Sequence, residues 1–177
     1  MEVITLQDLN FRSFIPAHVI RDRISEMATR MNVELEHEFP LFIGVLNGAF
    51  MFAANLLKDL TITCEVTFVK LSSYDGTRST HDIKTLIGLD KDISGRTIVI
   101  LEDIVDSGTT LREFIPTLKI LNPRRVLIAT LLLKPEALEH YVEMQYIGFE
   151  VPNQFLVGFG LDYNGLGRNL KDIYVRC

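Results

Sequence analysis

Thr97-Ile98-Val99-Ile100-Leu101-Glu102-Asp103-Ile104-Val105-Asp106-Ser107-Gly108-Thr109-Thr110 decides how the chain folds and where its chemistry sits. Thr97 to Leu101 is continuous, β-branched and apolar on both faces. Such a run suits a strand of a parallel sheet covered by helices on both sides. It runs straight into two adjacent carboxylates, Glu102 and Asp103, and a third follows at Asp106. Ser107-Gly108-Thr109-Thr110 then opens a helix. That turn is a phosphate cradle on physical grounds: free N–H groups at a helix start, hydroxyl donors, and a glycine that lets the backbone come close. Carboxylates beside a phosphate would repel it unless they bind sugar hydroxyls or a magnesium ion. Cradle and acids together point to a phosphorylated sugar with a metal. An isolated Asp-Ser-Gly would read better as a helix cap, with the two acids ending a strand in solvent. The run of acids and small donors against one hydrophobic strand outweighs that reading.

Outward from this segment, strands and helices alternate. Ile20, Ile24, Met27, Ala28 and Met31 recur at helical spacing and predict a helix over 16–36, with Pro16 tolerated in its first turn. Leu41 to Leu46 reads as a buried strand opened by Pro40 and punctuated by Asn47-Gly48. A helix over 49–58 and a strand over 62–71 follow. The stretch 72–82 is polar, holds Gly76 and reads as a mobile loop. Residues 84–89 add a strand before the turn at Ser94-Gly95. The helix opened by Thr109 should reach Leu121, with Pro116 expected to kink it. Residues 126–133 form another apolar strand, and 147–149, 155–159 and 173–175 shorter ones. The class is α/β with a mostly parallel sheet, in a single domain over 1–177, and ligands belong at the carboxyl ends of its strands.

Composition narrows the function classes. The chain has 177 residues, 47% hydrophobic and 23% charged, with a formal net charge of −5. This balance is that of an ordinary globular protein. It offers no electrostatic footprint for nucleic acid or an anionic membrane. Cys64 and Cys177 form no CxxC and no disulfide framework, so a reducing cytoplasm is expected. No apolar run reaches the length of a membrane span, and the start lacks the pattern of a signal peptide. The four histidines (His18, His37, His81, His140) have no metal-ligand spacing and read as bystanders.

Leu101 to Thr110 resembles the signature of the type I phosphoribosyltransferases, which bind 5-phosphoribosyl 1-pyrophosphate. The rest of the chain is similar to the hypoxanthine phosphoribosyltransferases over nearly its whole length. Leu46-Asn47-Gly48-Ala49-Phe50-Met51-Phe52 is similar to their pyrophosphate loop, and Ser72-Ser73-Tyr74 to their flexible catalytic loop. Lys134, the run from Val151 to Asn164, and Arg168 are similar to their purine and pyrophosphate sites. The resemblance implies the type I phosphoribosyltransferase fold, a mostly parallel central sheet flanked by helices with a small hood built from the chain ends. It implies magnesium-dependent transfer of the phosphoribosyl group to hypoxanthine, with guanine as a second base, in a homodimer or homotetramer.

The roles follow residue by residue from the resemblance. Glu102 and Asp103 hold the ribose hydroxyls, directly or through magnesium. Asp106 accepts the proton of the purine's imidazole edge, and Ser107, Gly108, Thr109 and Thr110 bind the 5′-phosphate. Lys134, which alone would read as a solvated strand-end lysine, donates to the six-position carbonyl of the base. Phe155, which alone would read as core, stacks on the purine, and the backbone of Leu156 meets its far edge. Asp162 is a ligand to a second magnesium, and Arg168 contacts pyrophosphate. Gly48 lets the backbone approach pyrophosphate, and Leu46–Asn47 is the family's place for a non-proline cis peptide. Asn47 stands where lysine or arginine is common, and brings no charge to that loop. Ser73 and Tyr74 belong to a lid that keeps water from the activated sugar.

Three rival readings use parts of the same pattern. A sugar-sensing regulator that binds nucleic acid would need a basic face or an added segment, and this acidic chain has neither. A transferase for xanthine, guanine or a pyrimidine would keep the same chemistry. A phospho-acceptor signalling domain also gathers acids at strand ends, but has no use for the Asp-Ser-Gly-Thr-Thr cradle.

Overall fold

The computed structural model describes residues 3–72 and 84–177. In chain order, a hairpin of β1 (Val3–Leu6) and β2 (Leu9–Ile15) leads into α1 (Ala17–Glu34). Then come β3 (Leu41–Leu46), α2 (Phe50–Asp59), β4 (Glu65–Ser72) and β5 (Lys84–Ile87). β6 (Thr97–Val105), α3 (Thr109–Lys119) and β7 (Arg125–Leu133) follow, and β8 (Tyr146–Glu150), β9 (Leu156–Val157) and β10 (Ile173–Arg176) complete the fold.

The main sheet has the order β5-β4-β3-β6-β7-β8. All of its strands are parallel except β5, which runs antiparallel to β4. Both faces are covered. Ile24, Met27 and Met31 of α1 and Phe52 and Leu56 of α2 share one core with Phe42, Val99, Leu101 and Leu127. Leu111, Phe114 and Leu118 of α3 pack on Ile43, Ile98, Ile100 and Ile128 on the other. Each such fully buried side chain contributes about 1.5–3 kcal/mol. The outer edge, β8, is blunted by α1. Arg23 donates to the carbonyls of Gly148 and Ile147 at 2.7 and 2.9 Å, which denies that edge to a foreign strand.

The hood is a second, antiparallel sheet of order β1-β2-β10-β9, so both ends of the described chain meet in it. Phe11, Val157 and Tyr174 form its small core. The hood is tied to α1 by a long-range cap. Pro16 offers that helix no side-chain cap, and Asp172 supplies one by accepting from the Ala17 N–H at 2.8 Å. A carboxylate at a helix N-terminus is also favoured by the helix dipole.

The structure corrects several sequence readings. β6 does not stop at Leu101 but carries Glu102 and Asp103 inside it and ends at Val105. The two acids coincide with a change of face. Val99 and Leu101 share a core with Ile104, whereas Ile98 and Ile100 share theirs with Val105. Strict alternation would put Ile104 on the other side. α3 contains Pro116, as expected, and ends at Lys119 rather than Leu121. Its apolar stripe of Leu111, Phe114 and Leu118 outweighs the proline's cost of about 3 kcal/mol. The strand expected over 155–159 shrinks to Leu156–Val157, because Gly158, Phe159 and Gly160 all take positive φ. α1 ends at Glu34, two residues short of the expected end.

Candidate active site

β3 connects through α2 to β4 on one side, and β6 connects through α3 to β7 on the other. The neighbours β3 and β6 therefore form the switch point of the sheet, where a crevice opens at the carboxyl ends of the strands. The Asn47-Gly48 turn and the acids of β6 meet there. A Cβ on Gly48 would lie 1.7 Å from Asp103 Oδ2, so only glycine allows the turn to lie against that carboxylate. The Leu46–Asn47 peptide is cis, at the expected place. Gly160 of the hood presses on the same loop: a Cβ there would stand 2.1 Å from the Gly48 carbonyl. The crevice has a volume of about 260 Å³ and is lined in part by Gly48, Glu102, Asp103, Thr109, Thr110 and Glu113. Glu113 was missed in the sequence. Its signal was helical spacing, one turn beyond Thr109 and Thr110.

Glu102 is only 6% exposed, and burial, then the charge of Asp103, pushes its carboxyl well above the usual range. Asp103 is pushed up to about 6, chiefly by burial. The Ile104 N–H, its own N–H and Arg168 pull it back down, and Asp162 pushes it up. Burying two adjacent acids is costly unless something positive or hydrogen-bonding meets them.

The cradle lies beside these acids. Gly108 takes φ 81°, a left-handed conformation that glycine adopts at no steric cost. Ser107 Oγ donates to Thr109 Oγ1 at 2.9 Å and accepts from the Thr109 N–H at 3.3 Å. The N–H groups of Glu139 and His140 both donate to the Ser107 carbonyl at 3.1 Å, and the His140 carbonyl backs Gly108 so closely that a Cβ would meet it at 2.5 Å. His140, set aside in the sequence as a bystander, thus braces the turn through its backbone. The first turn of α3 holds no acid, so no fixed negative charge there offsets the favourable end of the helix dipole. Glu102, Asp106, Ser107, Gly108 and Thr110 line a second cavity of about 90 Å³.

Lys134 ends β7. Its N–H donates to the Val105 carbonyl at 3.0 Å, and its Nζ donates to Asp106 Oδ2 at 2.7 Å. The lysine is 7% exposed, whereas the Asp106 side chain is 53% exposed. An ammonium that deeply buried needs a partner, and among the described residues the Asp106 carboxylate supplies it. Phe155 is 42% exposed and Leu156 buried at the start of β9. Arg168 donates to the Gly160 carbonyl at 2.7 Å and pairs with Asp162, whose other oxygen accepts from the Gly165 N–H at 2.6 Å. Asp162 and Arg168, given separate roles in the sequence, hold each other. Ser73 and Tyr74 lie outside the described residues. Among the described residues no three His, Cys, Asp or Glu side chains gather to hold a metal ion, so Glu102, Asp103 and Asp162 are not one closed cage.

A sheet switch point that joins a phosphate cradle to buried acids matches what known proteins show. The model of the phosphoribosyl transferase domain matches residues 16–164, and the chain belongs to that family. Hypoxanthine phosphoribosyltransferase of Escherichia coli K12 is 38% identical over 162 residues, which cover 90% of this chain and 91% of that protein. Hypoxanthine-guanine phosphoribosyltransferase of Bacillus subtilis is 39% identical over 157 residues, 88% of this chain and 87% of the relative. Among solved structures, a hypoxanthine phosphoribosyltransferase from Staphylococcus aureus superposes with a TM-score of 0.89 at 30% identity, covering 94% of this chain and 91% of that one. The fold is the type I phosphoribosyltransferase fold, and the protein is an enzyme of purine salvage that acts on small molecules.

Proposed function

We propose that the enzyme transfers the 5-phosphoribosyl group from 5-phosphoribosyl 1-pyrophosphate to hypoxanthine, with guanine as a second base, giving IMP or GMP and pyrophosphate. The observation that carries this reading is the buried Lys134 ammonium bonded to Asp106 beside the cradle. Ser107, Gly108, Thr109 and Thr110 bind the 5′-phosphate through the N–H groups and hydroxyls at the start of α3. Lys134 donates to the six-position carbonyl of the base, Phe155 stacks on its ring, and the Leu156 backbone meets its far edge. Asp106 accepts the proton of the purine's imidazole edge as the base attacks the anomeric carbon. The transition state has oxocarbenium character, which the neighbouring carboxylates stabilise. Asn47, Gly48 and Arg168 contact the departing pyrophosphate, and Ser73 and Tyr74 belong to the covering loop.

Magnesium fits the donor set. This ion usually takes only one or two carboxylates from a protein and fills its shell with water and substrate oxygens. Glu102 and Asp103 would hold one ion at the ribose and Asp162 a second beside the pyrophosphate, and their charge would neutralise the leaving group. The buried, adjacent carboxyls of Glu102 and Asp103 support this role, since a cation would offset their burial. The same reading sets the enzyme in the cytoplasm as a homodimer or homotetramer; among the described residues no helix is long and apolar enough to cross a membrane.

The test is direct. The protein is mixed with magnesium, the activated sugar and each of hypoxanthine, guanine, xanthine, adenine and uracil, and nucleotide is measured. IMP and GMP are expected, and their loss in excess EDTA. Nucleotide from adenine or uracil alone would overturn the base assignment, and full activity after metal removal would overturn the magnesium role.

A further inference from the structure

Phe155 must hold one plane if it is to stack, yet it is a half-exposed ring at the edge of the hood. Among the described residues two other rings meet it. Phe11, fully buried on β2, lies 6.2 Å away and tilted by 44°. Tyr163 lies 5.8 Å away at 84°, the edge-to-face arrangement that aromatic pairs favour. Tyr163 is itself fixed. Its hydroxyl donates to Asp8 Oδ1 at 2.8 Å, its N–H and carbonyl both pair with Leu166, and Asn164 Nδ2 donates to Gln7 Oε1 at 3.0 Å. Gln7 and Asp8 form the turn between β1 and β2. The chain of contacts therefore runs from that turn through Tyr163 to Phe155.

We propose that Tyr163 is a positioning residue for the purine subsite: anchored by Asp8, its ring sets the plane of Phe155 and makes the β1–β2 turn part of base recognition. The proposal rests on the stacking role of Phe155 given above. Tyr163 acts through Phe155, so its effect must vanish when that ring is gone. A residue that merely keeps the hood folded would act in either background and on both substrates.

The experiment measures KM for hypoxanthine, KM for 5-phosphoribosyl 1-pyrophosphate and kcat in the full chain, with thermal melts to compare folding. The proteins are the parent, Phe155→Ala, Tyr163→Leu, Tyr163→Phe and the double variant Phe155→Ala/Tyr163→Leu. Tyr163→Leu should raise the base KM about two- to tenfold, the worth of one aromatic pair, and change the sugar KM much less. Tyr163→Phe keeps the edge-to-face ring but loses the Asp8 anchor, and should recover only part of that loss. In the Phe155→Ala background Tyr163→Leu should add nothing, the non-additivity of coupled neighbours. An equal rise of base KM in both backgrounds, a parallel rise of both KM values, or no effect of Tyr163→Leu would overturn the proposal. An unchanged base KM in Phe155→Ala would overturn the stacking reading itself, a result separate from the others.

Discussion

Lys134 Nζ lies 2.7 Å from Asp106 Oδ2, a bond between the two side chains proposed to read neighbouring groups of the purine, its six-position carbonyl and its imidazole edge. The pair sets the charges of the base subsite in advance: a cation where a carbonyl should arrive, an anion where a proton should leave. A purine that reaches Lys134 through its carbonyl competes with that carboxylate and leaves it free to accept a proton.

Asp106→Asn preserves the shape and removes the acceptor charge. A positioned general base contributes roughly 100- to 10,000-fold, and kcat should fall by that order. The KM for the activated sugar should change little, since the cradle is untouched. Steady-state kinetics check this; a near-normal kcat would show that the proton leaves by another route.

Lys134→Gln tests base selectivity. An ammonium has three donors and no acceptor, so it meets the carbonyl of hypoxanthine and opposes the amino group of adenine. A site built to bond one group rejects an analogue lacking it by roughly 10,000-fold. The parent should scarcely use adenine. The glutamine variant should lose activity overall and narrow the ratio of kcat/KM for the two bases, because an amide can turn its oxygen to the amino group. An unchanged ratio would assign selectivity elsewhere.

Gly48→Ala places a methyl 1.7 Å from Asp103 Oδ2. The carboxylate must move, at a cost of about 1–3 kcal/mol as for other overpacked sites. Urea denaturation should show this loss in the parent background and a much smaller one in Asp103→Ala, where the obstructing atoms are absent. Equal losses would place the clash elsewhere.

Asp103→Asn should stabilise the free protein above pH 6. The folded-state carboxyl is raised from 3.8 to about 6. Above the unfolded value the folded state binds the proton more tightly, so this group's contribution to stability falls as pH rises through about 6. The gain of the asparagine variant in Tm should therefore be small near pH 4 and reach several degrees at pH 8. A gain that shrinks with rising pH would contradict the sign.

Asp172→Ala removes the cap of α1. Losing such a cap costs about 0.5–2 kcal/mol, and each kcal/mol shifts Tm by about 2–4 °C in a chain of this size. A melt of the purified variant measures it, and an unchanged Tm would mean that solvent satisfies the Ala17 N–H equally well.

Local pattern made most of the frame legible. β3 has the expected bounds, and the helical spacing of Ile20, Ile24, Met27, Ala28 and Met31 marks the face that α1 buries. The sequence reading failed where the site overrides local rules. Glu102 and Asp103 looked like a strand end because acids seldom sit in a buried strand, and here they do. The cradle was legible as composition, but its brace at His140 is a backbone contact that no residue type announces. The pairing of Asp162 with Arg168, and of Lys134 with Asp106, depends on where distant strands end in space. The hood's sheet joins β2 to β10, a contact beyond the reach of any periodicity.

The Ala17–Asp172 bond links positions 155 residues apart, and β2 lies between β1 and β10. A ribosome adds roughly 5–20 residues per second. A nascent chain therefore holds β2 with one edge unpaired, and Phe11 uncovered, for on the order of ten seconds after those residues emerge. The strands that frame the phosphate turn can assemble during that wait. The grip on the base cannot, because it closes only when the last strand arrives. Synthesis thus delivers a scaffold for the sugar before one for the purine.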